Sequence, residues 1–122
     1  MVGVGRQVRA ALQATEVALI SNDRVHLGEA VGAAGAHVGQ SDLDIGQARA
    51  LLGPAAYLGL SVQSLDQVAA AAELGEETVD YLGVGPVWET TTKLDAAAPG
   101  GLETLRQITS ASPWPCVAIG GI

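Results

Sequence analysis

Short apolar runs alternate with longer Ala- and Leu-rich stretches along this chain. Residues 17–21, 36–39, 57–61, 79–84 and 116–119 have the length and apolar content of strands. Residues 24–32, 44–52, 65–74 and 102–111 carry the helical pattern, and residues 6–14 read as the tail of an earlier helix. The first four strands start about twenty residues apart, the spacing of a strand plus one crossover helix. Apolar runs, rather than strict alternation, predict strands covered on both faces, as in a parallel sheet. Strand–helix alternation therefore gives an α/β fold, and periodicity leaves barrel and open sheet undecided.

Local signals agree with these elements. Ser64 followed by Gln67 forms a capping-box pattern, and Gly75 is placed to end that helix. Gly53-Pro54 stops another, because proline cannot continue the helical ladder. No linker or low-complexity tract interrupts the pattern, so residues 1–122 read as one domain.

Charge narrows the partners. A net charge of -7 with six basic residues argues against nucleic acid or an anionic membrane as the main partner. The single cysteine, Cys116, lies in an apolar run and reads as a buried strand residue. Residues 1–14 carry Arg6 and Arg9 without a continuous apolar stretch, and no run reaches membrane-spanning length. A cytoplasmic location is the expectation, with oligomeric state left open.

In parallel α/β folds the ligand lies beyond the C-terminal ends of the strands. Asn22 and Asp23 follow the first strand, Asp42 the second, and Ser61 ends the third. The fourth leads through Gly83-Val84-Gly85-Pro86 to Trp88-Glu89-Thr90-Thr91-Thr92-Lys93, and the fifth into Gly120-Gly121. Two carboxylates from neighbouring strand ends suit a hard cation such as magnesium, which takes one or two of them with waters and phosphate oxygens. Threonine hydroxyls and a lysine suit phosphate, and paired glycines admit close backbone approach.

Each feature alone has a plainer reading. Asp23 and Asp42 precede helices, where aspartate is commonly an N-cap. Ser61, the threonines and Lys93 are ordinary loop residues when taken singly. His26 is expected to face solvent, and His37 to be a hydrogen-bonded core residue rather than a catalytic one.

As a set, the motifs Leu19-Ile20-Ser21-Asn22-Asp23-Arg24, Ala36-His37-Val38-Gly39-Gln40-Ser41-Asp42, Tyr81-Leu82-Gly83-Val84-Gly85-Pro86-Val87, Thr90-Thr91-Thr92-Lys93 and Ala118-Ile119-Gly120-Gly121-Ile122 resemble the thiamine-phosphate synthases, in order and spacing. The resemblance implies a (β/α)8 TIM-barrel family, here an incomplete barrel of about five parallel strands with intervening helices. It implies a transferase of thiamine biosynthesis that joins a pyrimidine diphosphate to a thiazole phosphate and releases diphosphate. It further implies that Asp23 and Asp42 bind magnesium. Asn22, Ser61 and Lys93 would contact the pyrimidine diphosphate, with Lys93 and Ser61 assisting its departure. Thr90, Thr91, Thr92 and Gly121 would lie against the thiazole phosphate. In that family a pyrimidine methylene cation forms and the thiazole nitrogen attacks it, chemistry that needs leaving-group charge stabilisation.

Three departures from the family pattern stand out. Gln63 occupies a position where relatives often carry His, on which the related thiazole tautomerases rely, and Glu89 replaces a common Pro. The family's first two strands, with their Gln-x-Arg-x-Lys motif, and its last strand have no counterpart here. The expectation is therefore a fragment that is inactive alone. The alternatives are a tautomerase-like isomerase, a non-catalytic phosphate-binding remnant, or another phosphate-binding barrel enzyme. Fusion to a pyrimidine kinase, as in some relatives, is left open.

Overall fold

The computed structural model describes residues 2–91 and 98–122. The chain packs as two compact units, Met1–Leu58 and Gly59–Ile122.

In the first unit, helix α1 (Val2–Leu12) precedes strand β1 (Ile20–Asn22), helix α2 (Val25–Val31), strand β2 (Gly35–Val38) and helix α3 (Ile45–Leu52). Strands β1 and β2 run parallel, with Ile20, Ser21 and Asn22 opposite Gly35, Ala36 and His37. Ala36, Val38, Val25, Ile45 and Ala48 form its core. Helix α1 buries none of its own residues. It is fixed at the far end of α2, where Arg6 Nε donates to the Ala30 carbonyl at 3.3 Å and Arg9 Nε to that of Gly32 at 3.0 Å. Both guanidinium groups thus meet carbonyls that a helix leaves unpaired at its C-terminal end. Gly32, with φ +70°, ends α2 in the left-handed region that favours glycine.

Strand β3 (Tyr57–Val62) begins in the first unit and continues into the second. There follow helix α4 (Leu65–Glu73), a single 3-10 turn (Glu76–Thr78), strand β4 (Tyr81–Val84), helix α5 (Gly101–Ala111) and strand β5 (Cys116–Ala118). Within the second unit β4 lies between β3 and β5, all parallel. Leu60, Val62, Leu82, Val84, Val68, Ala71 and Ile108 pack its core. Trp114 is buried, and its indole N–H donates to the Glu76 carbonyl at 2.7 Å, tying the approach to β5 to the 3-10 turn.

Three expectations need correction. Strands β2, β3 and β4 are largely buried, but β1 and β5 are not. Val117 is 54% exposed and Ile119 61%, because β5 has a partner strand on only one side within its unit. Cys116 accordingly lies in a strand but is only half-buried. Residues 79 and 80 fall outside β4, since the 3-10 turn ahead of them uses the buried Thr78 hydroxyl to bond the Leu74 carbonyl at 3.0 Å.

Candidate functional site

The rim of the first unit is built where β1 and β2 end. Pairing of Asn22 with His37 is extended by the Asp23 amide, which donates to the His37 carbonyl at 2.8 Å. Asp23 then turns the chain with φ +64°, the only non-glycine residue with positive φ among those described. Aspartate visits that region more readily than most residues, yet it is uncommon there. The exposed Asn22 side chain donates to Asp23 Oδ2 at 3.2 Å.

Beyond β2 the chain folds back at once. The Gly39 amide donates to Asp42 Oδ2 at 2.7 Å, while the Asp42 amide donates to the Gly39 carbonyl at 3.3 Å. Neither aspartate is an N-cap. That position before α3 belongs to Asp44, whose Oδ1 accepts from Gly46 N at 3.0 Å and Gln47 N at 3.2 Å. Before α2 it belongs to Arg24, whose side chain makes no capping bond. The N-cap positions before α2 and α3 thus belong to Arg24 and Asp44 rather than to Asp23 and Asp42.

His37 shows that the two carboxylates share one neighbourhood. Burial holds its imidazole below the ordinary histidine range, while the charges of Asp23 and Asp42 both pull it the other way. It is half-buried on β2, whereas His26 is exposed, as expected. Two carboxylates near one imidazole could serve magnesium, a hard cation that needs few protein donors. Among the described residues no group of three or more His, Cys, Asp or Glu side chains is arranged to hold a metal. Asp23, Asp42 and the Asn22 amide are the groups at this rim whose contacts have been described.

The second unit carries the remaining candidates. Ser61 lies half-buried on β3, opposite Gly83 of β4 and one residue before the strand ends. Ser64 caps α4 by accepting from Gln67 N at 3.3 Å, and Gln67 Oε1 accepts from Gln63 N at 2.7 Å. The capping box is therefore displaced, because Gln67 reaches the residue before the cap. A shallow pocket beyond β4 is lined by Gln63, Gly85, Val87, Gly101, Thr104 and Leu105 among others.

Pairing between β4 and β5 continues past both strand ends. The Ile119 amide donates to the Val84 carbonyl at 3.0 Å, Val87 N to Ile119 O at 3.1 Å, and Trp88 N to Gly120 O at 3.0 Å. After Glu89 come Thr90, half-buried, and Thr91, exposed. Thr92 and Lys93 lie outside the described residues.

The glycine pair packs closely against the chain's own backbone. A Cβ on Gly121 would stand 2.5 Å from the Glu89 carbonyl oxygen and 2.8 Å from that of Trp88. One on Gly120 would meet Pro86 Cα at 2.5 Å. On that side the space beside the glycines is taken by the chain's own backbone. Gly85, which the sequence did not single out, belongs to the same contact, since its Cβ would collide with the Ile119 carbonyl.

The family model for thiamine monophosphate synthase matches residues 1–122. The chain belongs to that family. It is 51% identical over 106 residues to the thiamine-phosphate synthase of Albidiferax ferrireducens, covering 87% of this chain and 47% of the relative. It is 46% identical over 122 residues to that of Chloroflexus aurantiacus, covering 100% of this chain and 55% of the relative. Its fold matches the thiamine phosphate pyrophosphorylase of Pyrococcus furiosus with a TM-score of 0.84 at 36% identity, covering 99% of this chain and 55% of that one. The chain thus spans about half the length of the curated relatives it matches. The expected fold holds: five parallel strands with intervening helices, from a TIM-barrel-like family.

Proposed function

We propose that the complete gene product carrying this chain is a thiamine-phosphate synthase, a magnesium-dependent transferase that releases diphosphate from its pyrimidine substrate and joins the pyrimidine to a thiazole phosphate. The observation that carries this reading is the rim of β1 and β2, where Asp23 and Asp42 lie ahead of the N-cap positions held by Arg24 and Asp44 and both carry charge close to the His37 imidazole. Asp42 Oδ2 accepts from the Gly39 amide and Asp23 Oδ2 from the Asn22 side chain, at neighbouring strand ends.

In this reading Asp23 and Asp42 hold magnesium, which when bound supplies positive charge to the departing diphosphate. Asn22 orients the Asp23 carboxylate through its amide and offers its second N–H to a diphosphate oxygen. Ser61 and Lys93 donate to the diphosphate, and the lysine charge lowers the cost of its leaving. Thr90, Thr91 and Thr92 hold the thiazole phosphate through hydroxyl and amide donors, beside Gly121. None of these residues must act as a strong base, because departure of diphosphate generates the electrophile and the thiazole nitrogen supplies the electron pair. The substrates are small and phosphorylated, and a chain of net charge -7 meets such anions through magnesium and local amide, hydroxyl and lysine donors rather than through a basic surface.

The test is diphosphate release by the complete gene product, followed with a coupled phosphate assay. Release that needs both substrates and magnesium supports the synthase. Isomerisation of a thiazole without diphosphate release would identify a tautomerase-like enzyme instead.

A further inference from the structure

Three glycines line a seam where backbone meets backbone. Running outward from β4 and β5, Gly85 faces the Ile119 carbonyl, Gly120 faces Pro86 and Gly121 faces the carbonyls of Trp88 and Glu89. Two backbone hydrogen bonds hold the same seam, the Val87 amide donating to the Ile119 carbonyl at 3.1 Å and the Trp88 amide to that of Gly120 at 3.0 Å. On the other side, the Gly100 and Gly101 amides donate to the Pro86 and Val87 carbonyls, both at 3.0 Å. Residues 86–88 are therefore bonded along both flanks, and the chain leaves the seam at Glu89, directly ahead of Thr90.

We propose that Gly120 is a positioning residue: it seats Pro86 and Trp88 so that Thr90 and Thr91 start from a fixed place before any ligand arrives. Its φ of +98° is strained for an L side chain. The space on its Cβ side is closed by Pro86 Cα at 2.5 Å, an atom that no side-chain rotation can remove. An added methyl must therefore push the 86–89 segment outward. Displacement by a fraction of an ångström is enough to misplace donors that must meet a phosphate. Gly120 itself need touch no substrate for this effect.

The inference rests on the reading that Thr90 and Thr91 hold the thiazole phosphate, so two variants of the complete gene product are compared. With Thr90→Ala as reference, Gly120→Ala is expected to raise KM for the thiazole phosphate by about tenfold while leaving KM for the pyrimidine diphosphate within about twofold. A kcat loss in Gly120→Ala with both KM values unchanged would mean that the glycine serves folding only, and would overturn the positioning role. Unchanged KM in Thr90→Ala would overturn the underlying assignment, and the positioning role with it. Amide hydrogen exchange in the unaltered, ligand-free protein gives an answer even where Gly120→Ala fails to fold. Slow exchange at Val87 and Trp88, unaffected by thiazole phosphate, is expected. Fast exchange that slows only when the ligand is added would contradict a seam formed in advance.

Discussion

Asp42 bends back onto its own strand end, accepting the Gly39 amide at 2.7 Å, and leaves the cap of α3 to Asp44 two residues later. The two aspartates are close in sequence, yet one serves the helix and the other faces the strand rim.

That division predicts opposite outcomes for two substitutions. Asp44→Ala should cost about 1 kcal/mol of stability through loss of the cap, with magnesium dependence unchanged. Asp42→Asn should lower the apparent magnesium affinity of the complete gene product. Denaturant unfolding and magnesium titration of activity separate the two effects.

Asp23 sits at φ +64° and carries a carboxylate that the neighbouring Asn22 amide contacts. Asparagine tolerates the same backbone region, so Asp23→Asn should keep stability within about 0.5 kcal/mol. Activity should require far more magnesium, or be lost. Retention of normal magnesium dependence would remove Asp23 from the metal site.

Trp114 offers a purely structural test. Its indole N–H reaches the Glu76 carbonyl at 2.7 Å from a buried position. Trp114→Phe keeps an aromatic ring but loses that bond, and should destabilise the protein by about 1–2 kcal/mol with little change in KM. Thermal or denaturant unfolding measures it.

Glu103 and Arg106 lie on the exposed face of α5, with guanidinium and carboxylate 2.6 Å apart. Arg106, with help from Gln107, holds the Glu103 carboxyl below its ordinary range. A depressed folded pKa means that this pair stabilises the fold above the ordinary carboxylate pKa and loses that effect as pH falls through the depressed value. Arg106→Ala should return the Glu103 titration towards the usual range, followed by NMR of its side-chain carboxyl.

Much of the fold was legible because strands here are contiguous apolar runs and helices carry capping and stopping residues at their ends. Ser64 and Gly53 mark α4 and α3 where the sequence placed them. Boundaries slipped where a polar side chain redirected the backbone, as at Thr78 before β4. The choice between Asp42 and Asp44 as cap was not legible, since both precede the same helix and only their geometry against the Gly46 and Gln47 amides decides it. Nor was the seam of Gly85, Gly120 and Gly121, because close approach of two backbones leaves no periodic trace in either segment. One glycine pair and the lone Gly85 stand there, which equally permits a ligand or a neighbouring chain segment to fill the space.

The most direct test of the proposed synthase is mass spectrometry of the product formed by the complete gene product from isotopically labelled pyrimidine diphosphate and unlabelled thiazole phosphate, with magnesium present. The expected result is one labelled species carrying both rings and a single phosphate, formed in equal amount with free diphosphate, and lost in Lys93→Ala. Recovery of the two substrates unjoined, under conditions where the protein is folded and binds both, would contradict it.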